Sequence, residues 1–172
     1  MESTKTITIG QQDVQIEDIV RIARREQIVA LDNSAPFIDH IQQGAFFLEQ
    51  LLKEDGVIYG VTTGYGDSCV TSVPLQHVEE LPRHLYTFHG CGLGAIFGEE
   101  ATRAILATRL VSLAKGYSGV RYSLLQQLEK FLHNDILPQI PEEGSVGASG
   151  DLTPLSYVAA CIAGERNVLH EG

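Results

Sequence analysis

The sequence predicts a mainly helical chain with a few short strands and glycine-rich loops. Three observations lead there. Apolar residues recur at i, i+3, i+4 and i+7 over several long segments. Those segments open on capping residues and close on glycine or proline. The 17 glycines, against six prolines, gather in clusters instead of spreading along the chain. A composition that is 44% hydrophobic and 20% charged supplies a core and excludes a disordered chain.

The elements follow in order. Thr6–Ile9 (TITI) alternates like a short strand. Ile16 to Gln27 carries Ile16, Ile19, Val20 and Ala23 on one helical face. Asp32-Asn33-Ser34 precedes a longer helix from Ala35 to Lys53, with Ile38, Ile41, Ala45, Leu48 and Leu52 in phase and Asp55-Gly56 as its stop. A helix is expected over 75–89. Another covers 99–116, with glutamates at its start and Lys115-Gly116 at its end, in the sense the helix dipole favours. Ser123 and Gln126 have capping-box spacing for a helix to about Leu137, which Pro138 and Pro141 terminate. A last helix is expected over 152–164. No repeat or linker divides the chain.

Charge and cysteine content narrow the function classes. The net charge of −10 argues against a nucleic-acid or anionic-membrane surface, since both require clustered Lys and Arg. Cys69, Cys91 and Cys161 are an odd number without framework spacing, so a disulfide scaffold is not expected. The start lacks a basic stretch leading into an apolar one, and no apolar run reaches membrane-spanning length. The expected setting is the reducing cytoplasm.

Three glycine clusters hold the residues with chemical potential. Tyr59–Gly66 (YGVTTGYG) is either a tight connection with packed rings or a shaped loop presenting a phenol. Phe88–Gly94 (FHGCGLG) lacks both the spacing and the preceding strand of a dinucleotide fingerprint. His84, His89 and Cys91 do not complete a zinc set, so no metal is expected and His89 is placed at a pocket-facing turn. Gly144–Asp151 (GSVGASGD) is neither a nucleophile elbow nor a phosphate loop. Its Ala148-Ser149-Gly150 stands at the mouth of a helix whose positive end favours negative charge, and Gly150 offers an unhindered peptide nitrogen.

Residues 144–159 (GSVGASGDLTPLSYVA) closely resemble the signature of the aromatic amino acid ammonia-lyase and aminomutase family, which includes histidine, phenylalanine and tyrosine ammonia-lyases. YGVTTGYG (59–66), LPRHLYTFHGCGLG (81–94), LAKGYSGVR (113–121) and LPQIPEEGSVGASGD (137–151) fall in the family's order. The resemblance implies that Ala148, Ser149 and Gly150 cyclise: the Gly150 nitrogen attacks the Ala148 carbonyl and two waters leave, one of them from Ser149. The product is a methylidene-imidazolone, an electrophile made from the chain itself, so no external cofactor is implied. The resemblance assigns the base to Tyr59. A phenol ordinarily ionises near about pH 10, so that role requires its anion to be stabilised. Gly66 is implied beside the substrate, and Leu152 near its ring.

In the family, substrate choice goes with a residue pair that aligns with Phe88-His89. Phe88 matches phenylalanine-type enzymes, while His89 offers hydrogen bonds to an imidazole or a phenol. Thr62-Thr63 resembles the phenylalanine and tyrosine enzymes, and His84 stands where Asn is common. The implied activity is elimination of ammonia from phenylalanine or tyrosine, with histidine next. An aminomutase uses the same ring. Family subunits are much longer than this chain and form homotetramers. Residues 1–172 are therefore expected to be an N-terminal lyase domain, incomplete and inactive alone. The non-enzymatic alternative is a degenerate homologue serving as a helical assembly module.

Overall fold

The computed structural model describes residues 6–10, 13–54, 56–144 and 150–170. A β-α-β unit opens the fold. β1 (Thr6–Ile9) buries Ile7 and Ile9, as its alternating sequence requires. α1 (Ile16–Ala23) crosses to β2 (Ile28–Leu31), which pairs parallel with β1, Thr6 opposite Ile28 and Ile9 opposite Leu31. The sequence reading missed β2, because a four-residue apolar run carries no period of its own. α1 stops at Ala23 instead of Gln27, and Arg25 just beyond it takes a φ of +62°. Its inward face is also rotated from the expected one. Ile22 and Ala23 are buried and Ile19 packs on the core, whereas Ile16 is 80% exposed.

Asp32 shapes the entry to α2 (Ala35–Lys53) by accepting hydrogen bonds from the Ser34 N–H at 2.8 Å and its hydroxyl at 2.9 Å. The bounds of α2 are those read from the sequence, and Phe37, Ile41 and Ala45 are its buried face. Beyond it, residues 66–70 form a short 3-10 turn. The single helix expected over 75–89 is two, α3 (Leu75–Val78) and α4 (Leu81–His89). Pro82 explains the break: it has no N–H for the Val78 carbonyl and instead sits in the first turn of α4.

The second half comprises β3 (Leu93–Ile96), α5 (Glu99–Leu113), α6 (Tyr122–His133), β4 (Leu137–Pro138), β5 (Pro141–Glu143), α7 (Leu152–Ile162) and β6 (Val168–Leu169). β3 pairs antiparallel with β5, and β4 with β6. The capping box expected at Ser123 is not made. The N-cap is Arg121, two residues before Ser123, and it makes no side-chain cap hydrogen bond. α6 also ends at His133, short of Leu137, because Asp135 takes a φ of +48°.

α5 is the central helix. Its Leu106, Ala107 and Leu110 are fully buried in one cluster with Ile7, Ile9, Ile22, Leu125, Leu128 and Ile140. Each such aliphatic chain contributes about 2 kcal/mol of transfer free energy. One cation shares this core. Arg103, only 5% exposed, donates to the carbonyls of Ile22 at 2.9 Å, Ala23 at 3.2 Å and Leu132 at 2.8 Å, and to the Asp135 carboxylate. It thereby caps the carbonyl ends of α1 and α6 together. Arg25 donates to the other Asp135 oxygen at 3.0 Å and to Glu99 at 2.5 Å.

Burial pushes the Asp135 carboxyl up, but the Arg25 hydrogen bond and the charges of Arg103 and Arg25 outweigh it, leaving it below the ordinary value. A carboxyl depressed in the folded state stabilises the fold above its unfolded pKa of about 4 and loses that contribution as pH falls through the folded value. Asp135→Asn is expected to cost about 2 kcal/mol near pH 7, since it strands the buried Arg103 charge. It should also flatten the loss of stability below about pH 4. Urea melts across pH check both; identical pH slopes in the two proteins would contradict the assignment.

Candidate active site

Residues 56–73 are a loop knit largely to itself. Thr62 and Thr63 are buried. The Thr62 hydroxyl donates to the Gly56 carbonyl at 3.0 Å and accepts from the Ile58 N–H at 2.8 Å, and Thr63 accepts from the Gly60 N–H at 3.1 Å. Gly60 has a φ of +72°, and a Cβ there would lie 2.7 Å from the Tyr65 ring, so both conformation and space require glycine. Tyr65 donates its hydroxyl to the Gly60 carbonyl at 2.9 Å and meets the Tyr59 ring edge-on at 6.1 Å. Burial, and after it the Tyr59 charge, push the Tyr65 phenol above its usual value.

Tyr59 is thus set against a packed ring while remaining 64% exposed. Its phenol oxygen accepts the Gly66 N–H at 3.0 Å. A backbone donor at that oxygen stabilises negative charge on it. Gly66 has a φ of +55°, but a Cβ there would meet nothing within 4 Å, so the face beyond it is open. The two residues share one sequence motif, and the structure joins them by a hydrogen bond.

The second and third glycine clusters meet. Phe88 and His89 end α4, with their rings edge-on at 5.1 Å; Phe88 is 77% exposed and His89 half-buried. The turn that follows packs on β5 and α7. The Gly92 N–H donates to the Tyr157 hydroxyl at 3.0 Å, and the Arg166 guanidinium donates to the Gly90 carbonyl at 2.7 Å. A Cβ on Gly144 would lie 2.8 Å from the Gly92 Cα and 3.1 Å from Thr153 Cγ2. Gly144 and, through Tyr157, α7 therefore meet the same turn. Gly150 has a φ of +69° and leads directly into α7, whose positive end faces back toward it. Pro154 falls in the first turn of α7, where a missing N–H costs nothing. Leu152 begins that helix and is 37% exposed.

Ala148 and Ser149 lie outside the described residues. Among the described residues, no hydrogen bond links the Tyr59 loop to the α4–α7 group. The sequence reading missed Tyr157 and Arg166 as parts of this region. Arg166 and Tyr157 are 76 and 65 residues from their carbonyl and amide partners, and no local pattern announces such contacts. Among the described residues, no group of three His, Cys, Asp or Glu side chains is placed to hold a metal, and no helix is long and apolar enough to cross a membrane.

Comparison with known proteins gives one family. The aromatic amino acid lyase model matches residues 14–172. A histidine ammonia-lyase of Streptococcus pyogenes is 36% identical over 169 residues, 98% of this chain and 33% of its own length. An MIO-dependent tyrosine 2,3-aminomutase of Streptomyces globisporus is 40% identical over 166 residues, 96% of this chain and 30% of its own length. The crystal structure of a tyrosine aminomutase from Streptomyces globisporus superposes with a TM-score of 0.85, at 36% identity over 97% of this chain and 31% of that one. The chain thus spans about a third of the length of the curated relatives it matches.

The cysteines test the packing around the third cluster. Burial pushes the Cys161 thiol up to about 11, against the opposing charge of Arg166, while Cys69 and Cys91 are exposed. At about pH 8, iodoacetamide is expected to alkylate those two and to spare Cys161 until the protein is denatured. Mass spectrometry of the native and denatured reactions reads this, and rapid labelling of Cys161 in the native protein would contradict the packing.

Proposed function

Because the chain belongs to the aromatic amino acid lyase family, we propose that it serves to eliminate ammonia from an L-aromatic amino acid, leaving the α,β-unsaturated acid. Phenylalanine or tyrosine is the proposed substrate, with histidine next. The observation that carries this reading is the setting of the family signature. Gly150, at positive φ and without a side chain, leads into the positive end of α7, and α7 in turn holds the turn after Phe88 and His89 through the Tyr157 hydroxyl, which accepts the Gly92 N–H at 3.0 Å. We assign the electrophile to a methylidene-imidazolone formed from Ala148, Ser149 and Gly150, with no external cofactor. The residues present fit it: an unhindered nitrogen at 150, a hydroxyl able to leave at 149 and a small residue at 148. When formed, the group supplies an electron sink for loss of the amine.

The remaining chemistry belongs to side chains. Tyr59 removes the β-proton through its phenol oxygen, and the Gly66 N–H at 3.0 Å supports the charge that this role requires. Phe88 and His89 on the last turn of α4 meet the substrate ring, Phe88 by apolar contact and His89 by a hydrogen bond to a polar ring end. Leu152 adds an apolar wall. Residues 1–172 are read as an N-terminal lyase domain within a cytoplasmic homotetramer whose subunits share sites.

A second reading is favoured by the 40% identity to a tyrosine 2,3-aminomutase. There the amine returns to the β-carbon and the same residues serve. Assays of the intact protein with phenylalanine, tyrosine and histidine separate the two, since a lyase accumulates the ultraviolet-absorbing unsaturated acid and an aminomutase accumulates the β-amino acid. Tyr59→Phe is expected to lower turnover by about 10²–10⁴-fold, and Ser149→Ala to abolish it. Turnover by Tyr59→Phe near the unsubstituted rate would overturn the assignment of the base.

A further inference from the structure

The turn after α4 is held from one side by two residues that the proposed mechanism does not use. Arg166 lies past the end of α7, and its guanidinium does two things at once. It donates to the Gly90 carbonyl at 2.7 Å and sits 4.1 Å from the centroid of the Tyr157 ring. Tyr157, on α7 and buried, accepts the Gly92 N–H through its hydroxyl at 3.0 Å. Gly90 has no room for a side chain, because a Cβ would lie 2.6 Å from the Tyr86 carbonyl oxygen as well as against the Arg166 guanidinium. A further ion pair, Arg83 with Glu165 at 3.7 Å, ties α4 to the same segment.

The far side of the turn is as tightly set. A Cβ on Gly92 would lie 2.9 Å from Pro141, and Gly144 comes against the Gly92 Cα. The backbone of residues 90–92 is therefore pinned between Arg166 and Tyr157 on one face and β5 and Gly144 on the other. Phe88 and His89 stand immediately before that backbone, at the end of a helix whose last carbonyls are exposed to whatever the turn does.

We propose that Arg166 and Tyr157 are positioning residues that fix the 90–92 backbone, and thereby set where Phe88 and His89 stand relative to Gly150. This rests on the reading of Phe88 and His89 as the residues that meet the substrate ring. Arg166 suits the task because a planar guanidinium stacks on a phenol ring while its N–H groups point along the plane to a carbonyl. A lysine at the same place keeps the charge and one hydrogen bond but loses the flat stack. Tyr157 suits it because its ring is anchored in the core and its oxygen still reaches an amide.

The experiment uses Arg166→Gln, Arg166→Lys and Tyr157→Phe in the intact protein. The first readout is amide exchange at Gly92 beside that of the α5 core. We expect Arg166→Gln and Tyr157→Phe to speed exchange at Gly92 while α5 keeps its protection, with Arg166→Lys in between. Unchanged Gly92 exchange, or loss at Gly92 only in step with α5, overturns the proposal, the latter because it marks a merely structural role. The second readout is the ratio of affinities for L-phenylalanine and L-histidine, followed by nuclear magnetic resonance titration. Arg166→Gln should change that ratio by about fivefold, the order expected when one positioning hydrogen bond is lost, and Arg166→Lys should restore part of it. An unchanged ratio alongside faster Gly92 exchange overturns the specificity role while leaving the lyase reading intact. Binding of neither amino acid, nor of L-tyrosine, by the unsubstituted protein sinks the reading on which the proposal rests.

Discussion

A buried guanidinium organises this chain. Two helices end facing each other, α1 at Ala23 and α6 at His133, and both ends leave carbonyls without intrahelical donors. Arg103 reaches both from one turn inside α5. Its charge is tolerable in the core because Asp135 lies against it and Arg25 and Glu99 extend the network outward. Removing that guanidinium takes the donor from carbonyls of two helices and from one oxygen of the Asp135 carboxylate together. The consequence reaches the candidate site, since α5 follows directly on β3, and β3 carries the glycine turn that meets β5 and α7.

The site is then a matter of close backbone approach. Gly92, Gly94 and Gly144 pack where a Cβ would strike Pro141, Glu143 or a neighbouring Cα, and Gly60 and Gly150 hold left-handed backbone. Each glycine cluster that stood out by composition therefore has its own physical reason. The first sets a phenol against a backbone donor. The second places two rings at a helix end. The third brings Gly150 to the positive end of α7. The net charge of −10 plays no part in this geometry.

Long periodic segments were legible in the sequence. α2 has the bounds its periodicity and stop residues indicate, and α5 and α7 run nearly to theirs. What failed was local and short. β2 and the pairs β3–β5 and β4–β6 involve two to four residues each, too few for a period to show. The apolar face of α1 was misplaced because Ile16, at 80% exposure, fits the stripe but finds nothing to pack on. Pro82 was present in the expected long helix and should have divided it. For the candidate site, motif resemblance singled out Tyr59, Gly66 and the Phe88-His89 pair, and the structure adds the Tyr59–Gly66 hydrogen bond and the edge-on contact of the two rings. Arg103, Tyr157 and Arg166 were invisible because their partners lie 29 to 81 residues away, and only folding brings those groups within hydrogen-bond distance.

The central claim is that the chain makes its own electrophile from three adjacent residues. The mass of the purified protein, with a peptide map across residues 144–151, tests it most directly. The account predicts a peptide two waters lighter than its encoded mass, and an unmodified mass apart from the substitution in Ser149→Ala. An unsubstituted protein that keeps its full encoded mass would contradict it.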